Sequence, residues 1–244
     1  MNHELLPFLC IAILIVALLY SSVGHAGASG YIAVMTLFGL ADKTIRPAAL
    51  VLNVLVAALT TWQFRRAGHF SWRLFWPFAL GSIPLAFLGG YVTLPTRGFK
   101  MLVGAVLLFS AIRFWWKPRE TEAAQMPGES LSIAVGGGLG LLSGLTGTGG
   151  GIFLTPLLLL KRWATTKTAA GVSALFILCN SLSGLLGNIS STRQLPVFAL
   201  PLAASALAGG ALGGYLGSQR FAPEAIKRLL AVVLTIAGLK LLFA

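Results

Sequence analysis

Apolar windows of about 20 residues recur along this whole chain, and each is long enough to cross a bilayer. They cover residues 5–23, 45–64, 72–95, 99–116, 168–188, 195–217 and 225–243. Shorter apolar runs cover 30–40, 131–145 and 152–160. In lipid every backbone N–H and C=O must be paired within the structure, so only helices and closed barrels span. The runs are continuous rather than alternating, which excludes a barrel. Charged residues make up 10% of the 244, against about 25% in a soluble domain. The pattern specifies an all-α polytopic membrane protein, with membrane lipids as its surroundings.

Of the four residues before the first window only His3 and Glu4 have ionisable side chains, so it lacks a basic leader, and it is too long for a signal-peptide core. It reads as a retained span. Cys10 and Cys179 sit in apolar runs without a CxxC neighbour and read as buried, inert thiols. The net charge of +12 lies in short loops, with no basic domain to present it to nucleic acid. Such charges hold loops on the cytoplasmic side, against anionic lipid.

The chain is duplicated. "PFALGSIPLAFLGGYV" (77–92) aligns with "PLAASALAGGALGGYL" (201–216), and "FKMLVGAVLLFSAIR" (99–113) with "IKRLLAVVLTIAGLK" (226–240). "SVGHAGASG" (22–30) aligns with "SGLTGTGGG" (143–151), within one residue of register. Three blocks in one order, about 120 to 127 residues apart, indicate a repeat. Residues 1–116 form the first membrane repeat and 131–244 the second, joined by a polar linker at 117–130.

Each half holds four spans plus a short segment after a Gly-rich helix break. If the pieces around the break count separately, each half has five segments and the halves are inverted. If they form one broken crossing, the halves run parallel. Five segments place 12 Lys and Arg on one side and 6 on the other; four give 10 and 8. The larger bias favours inverted halves with the N-terminus outside.

The breaks carry the functional expectation. Gly is a poor helix former, costing about 1 kcal/mol against Ala. A helix restarting after glycines in mid-membrane offers N–H groups that attract anions. Two such breaks at matching places should meet near the midplane, where transporters bind substrate. Gly24, Gly27, Gly30 and Gly147, Gly149, Gly150, Gly151 are the candidate backbone lining, and Ser29, Thr146 and Thr148 the candidate hydroxyls. Asn53, Ser173 and Asn180 are uncharged polar residues of the third segments that line a cavity or bind helices together. His25, whose imidazole titrates near neutral pH, is a candidate for anion binding and proton coupling. Lys43, Arg46 and Lys167 read as topological anchors, or as charges that draw anions inward.

Acidic residues are missing from the spans except near their ends, so a small anion is the expected substrate and a cation is not. No Walker loop, dinucleotide fingerprint, paired carboxylates, metal spacing or Ser/His/Asp arrangement is present in the spans. Neither an enzyme nor a metal site is expected. An anion channel and a membrane scaffold or assembly protein are the other readings, and a homodimer is the other partner considered.

With these features in view, the chain resembles the TauE/SafE family of membrane permeases over nearly its whole length. "GLTGTGGGIFLTPLLLL" with "AAGVSALFILCNSLSGLLGN" is similar to that family's second-half signature. The resemblance implies a multi-pass carrier of the bacterial inner membrane, without a cofactor, for sulfite, organosulfonates and other small sulfur-containing anions. The first half departs from the pattern, with "GHAGASG" where the family has further glycines.

Overall fold

The computed structural model describes residues 5–115, 125–193, 199–219, 234–236, 238–239 and 242–243. Residues 117–124 of the linker and most of the last apolar window lie outside the described residues. The described elements are α1 (Leu6–Ser21), α2 (Ala28–Leu37), α3 (Asp42–Arg66), α4 (Trp72–Tyr91), α5 (Thr96–Trp115), α6 (Glu129–Thr146), α7 (Gly151–Leu160), α8 (Thr166–Thr192) and α9 (Leu200–Gln219). Among the described residues there is no strand, and the all-α membrane architecture follows.

Local chemistry sets the helix starts. Pro7 opens α1, where its missing N–H is no loss. Ser71 and Thr165 cap α4 and α8 by accepting from the N–H groups of Leu74 and Thr168, each at 3.4 Å. Among the described residues, four stretches are long and apolar enough to cross a membrane: Lys43–Arg66, Trp72–Tyr91, Thr166–Thr192 and Leu200–Gln219.

The helices after the breaks are different. α2 and α7 have 10 residues each, so each is about 15 Å long, half the hydrocarbon thickness. α2 folds back on α1, whereas α7 packs on α8. A Cβ at Gly30 would stand 2.5 Å from Val16 Cγ1 and 2.7 Å from Tyr20 Cε2. One at Gly150 would stand 3.3 Å from Ser143 Cβ.

The left-handed glycines correct the register of the repeat. Gly24 and Gly27 match Gly147 and Gly150, with Gly27 and Gly150 both preceding the first residue of a ten-residue helix. The offset is 123 residues, two beyond the string alignment and outside its one-residue allowance. Identical letters misled because the correspondence lies in the left-handed glycines at the two ends of each break rather than in side chains.

Packing between the halves is reciprocal. α4 lies on α6, and α1 on α9. Cβ atoms at Gly136, Gly140 and Gly144 would strike the carbonyls of Phe78, Ser82 and Ala86. Those at Gly209, Gly213 and Gly217 would strike the carbonyls of Leu14, Leu18 and Ser22. Glycine every fourth residue brings each parallel pair to backbone contact. At the centre α3 and α8 run antiparallel: Phe64 lies by Gly171, Asn53 by Ser181 and Leu50 by Gly184. Cys10 and Cys179 are half-buried free thiols, so the expectation of full burial does not hold.

Candidate functional site

Positive φ at Gly149 (76°) and Gly150 (77°) turns the chain from α6 into α7. An L side chain avoids that region because its Cβ meets the following carbonyl. Space forbids one as well. A Cβ at Gly149 would press on the Asn53 amide nitrogen and lie 2.8 Å from Ile177 Cγ2 and 2.9 Å from Ser181 Oγ. The second break is thus held between α3 and α8. The first break meets α8 too, since a Cβ at Gly24 would press on Ala170. Both breaks converge on the antiparallel α3–α8 pair.

The polar side chains bridge the halves. His25 Nε2 lies 3.3 Å from the carbonyl oxygen of Gly151 and 3.2 Å from Thr155 Oγ1. A carbonyl can only accept, so Nε2 carries the proton in this geometry. Thr155 in turn donates to Ser173 Oγ at 2.7 Å. Asn53 is fully buried in α3. Its Oδ1 accepts from the N–H of Ala28, the first residue of α2, at 3.1 Å, and its Nδ2 donates to Ser181 Oγ at 2.9 Å. A distant side chain therefore does the work of an N-cap.

All the sequence-predicted site residues are buried: Gly24, His25, Gly27, Ser29, Gly30, Asn53, Thr146, Gly147, Thr148, Gly149, Gly150, Gly151, Ser173 and Asn180. They form separate groups. His25, Gly151 and Ser173 meet through Thr155. Asn53 and Gly149 meet beside Ser181. Ser29 instead donates to Tyr20 at 2.9 Å, and the Tyr31 hydroxyl donates to the Ala26 carbonyl at 2.7 Å, filling the first break from within. Gly27 packs on the Tyr31 ring and Gly30 on Tyr20. Thr146 and Thr148 pair hydroxyl to hydroxyl at 2.9 Å, and Thr146 donates back to the Leu142 carbonyl. Asn180 is fully buried, and neither of its amide atoms has a partner among the described residues.

Sequence reasoning missed Thr155 and Ser143 and misplaced Arg46. Thr155 follows the break by one turn, which is the signal that could have found it. Arg46 is only 6% exposed, so it is not a loop anchor. Its guanidinium donates to the carbonyls of Gly89 and Gly90 at 2.6 Å and of Val92 at 2.9 Å. These are orphan carbonyls at the end of α4, where a cation is favoured. Its Cγ would lie 3.1 Å from a Cβ at Gly147, so this positive residue adjoins the second break. Among the described residues no cluster of three His, Cys, Asp or Glu could hold a metal.

Comparison with known proteins agrees with this architecture. The family model described as sulfite exporter TauE/SafE matches residues 9–241. The chain is 39% identical over 240 residues to the probable membrane transporter protein y4hK of Sinorhizobium fredii, covering 96% of this chain and 97% of that one. It is 24% identical over 259 residues to the probable membrane transporter protein MJ0441 of Methanocaldococcus jannaschii, covering 98% and 96%. No solved structure matches the chain at a significant level. A helical membrane protein with paired helix breaks, matched to one family model over nearly all its length, this chain belongs to the TauE/SafE family of membrane transporters.

Proposed function

We propose that this protein is a secondary transporter for a small anion, working by alternating access at its paired helix breaks. The carrying observation is the meeting of two glycine breaks around buried hydroxyls, amides, His25 and Arg46. The buried polar side chains among the described residues include no carboxylate. Hard cations prefer carboxylate oxygens, whereas helix N-termini and guanidinium groups favour anions. Sulfur oxyanions and organosulfonates are the first candidates, since the matching family model is described as a sulfite exporter. Burial of the whole constellation supports a closed carrier state over an open channel.

The antiparallel crossing of α3 and α8 supports inverted halves. Corresponding helices related by a two-fold axis run antiparallel when that axis lies in the membrane plane. Burial of Arg46 also takes it out of the loop tally and widens the charge split to 12 against 5. The loops at Arg65, Lys161 and Arg220 are then cytoplasmic, in a bacterial inner membrane. A thermal-shift screen of the purified protein against sulfite, sulfate, thiosulfate and small sulfonates, followed by flux into proteoliposomes, tests the reading. Stabilisation and saturable, gradient-coupled flux of one class are expected. If no anion shifts the melting curve or crosses the membrane, the reading falls.

A further inference from the structure

The two breaks share left-handed glycines at their two ends, Gly24 and Gly27 against Gly147 and Gly150, and differ in what surrounds them. At the 123-residue offset, Tyr20 corresponds to Ser143 and Ala28 to Gly151. At the 124-residue offset of the two Leu-Gly-Gly-Tyr blocks, Asn53 corresponds to Ile177 and Asn180 to Val56. In the first half the N-terminus of α2 is sealed by Asn53, and the space behind it is filled by Tyr20, bonded to Ser29. In the second half Ile177 stands where Asn53 would, against Gly151. It has no polar atom with which to cap α7, and Gly150 supplies no side-chain cap.

Two buried polar side chains stand at that second N-terminus. Ser143 and Asn180 are both 0% exposed. Ser143 Oγ and both amide atoms of Asn180 lack partners among the described residues. Ser143 adjoins Gly150. Asn180 lies four residues from Phe176, which touches Gly150, and four from Gly184, which touches Gly144. Residues four apart share a helix face, so Asn180 faces the end of α6 and the break. Buried polar atoms are almost always paired, and three orphans around one uncapped helix start point to an external partner.

We propose that the anion is bound in the second break alone, by the N–H groups at the start of α7 with the Ser143 hydroxyl and the Asn180 amide. The first break is its counterpart, with the start of α2 already capped by Asn53. This assignment rests on the anion-carrier reading and names the half of the molecule that holds the ligand.

The test uses the full chain, purified in detergent, with sodium sulfite and methanesulfonate as probes, and reads affinity together with the melting temperature without anion. Asn180→Leu is close in shape and removes an unpaired buried amide. It should weaken anion affinity at least tenfold while leaving the anion-free melting temperature unchanged or raised by about 2 °C or more. Ser143→Ala should weaken affinity in the same direction, and Tyr20→Phe, in the sealed break, should leave it within about twofold. Wild-type affinity retained in Asn180→Leu overturns the assignment and leaves the carrier reading standing. A lowered anion-free melting temperature in Asn180→Leu marks the amide as structural and also overturns it. If wild type binds neither probe, the carrier reading fails and the assignment with it.

Discussion

The imidazole Nε2 of His25 lies 3.3 Å from the carbonyl oxygen of Gly151. One residue stands in the first helix break and the other begins the helix after the second. This bond and the Asn53–Ser181 bond tie the repeats together through polar groups at the heart of an apolar bundle. The same joint is where the repeats must move relative to each other if access alternates.

If the protein carries an anion past this joint, that placement should make transport pH-dependent. A charged imidazole adjoining the substrate region adds attraction for an anion, and a coupling of this kind is reciprocal between proton and anion. Anion affinity measured from about pH 5 to 8 should weaken in wild type as pH rises. His25→Gln keeps hydrogen bonding, cannot charge, and should give a flat curve. Equal slopes in both would make His25 a purely structural link.

The packing glycines separate by what a methyl group would meet. At Gly140 it would meet the Ser82 carbonyl of the adjacent helix, which cannot rotate away. Gly140→Ala should cost about 2 kcal/mol or more, as overpacking does. Gly138, on the exposed side of the same helix, has nothing within 4 Å. Gly138→Ala should be neutral or stabilising by up to about 1 kcal/mol. Melting temperatures of the two variants check the contrast, and similar values would disprove the backbone-contact account.

Arg46 holds three carbonyls at the end of α4. Arg46→Met leaves them buried without a donor, at a cost of about 1–3 kcal/mol per orphaned group. Lys has no planar fork and should restore only part of the loss. Detergent stability of the three proteins should fall in the order Arg, Lys, Met. A Met variant as stable as wild type would show that these carbonyls find other partners.

His69 lies in the loop between α3 and α4, outside the spans. Burial, and secondarily the nearby Lys167 ammonium, hold its imidazole below the ordinary value of 6.5. The folded state thus prefers the neutral ring. Its contribution to stability is complete above pH 6.5 and is lost as pH falls through that value toward the lower folded one. Between about pH 7 and 5, wild type should lose more melting temperature than His69→Gln. Parallel curves would show that His69 does not contribute.

The membrane class and the location of both breaks could be read from the sequence, because each depends on local composition. Twenty apolar residues need a bilayer whatever surrounds them, and glycine clusters interrupt a helix wherever they lie. Tertiary structure decided the rest. The two-residue register shift appears only in the dihedrals of Gly24, Gly27, Gly147 and Gly150. Arg46 reads as a loop charge until the end of α4 is seen to need donors. Asn53 and Asn180 look alike in sequence, yet one caps α2 from another helix and the other has no partner among the described residues. Hydrogen-bond satisfaction in a bundle depends on residues more than a hundred positions apart, and no local pattern records which of them meet.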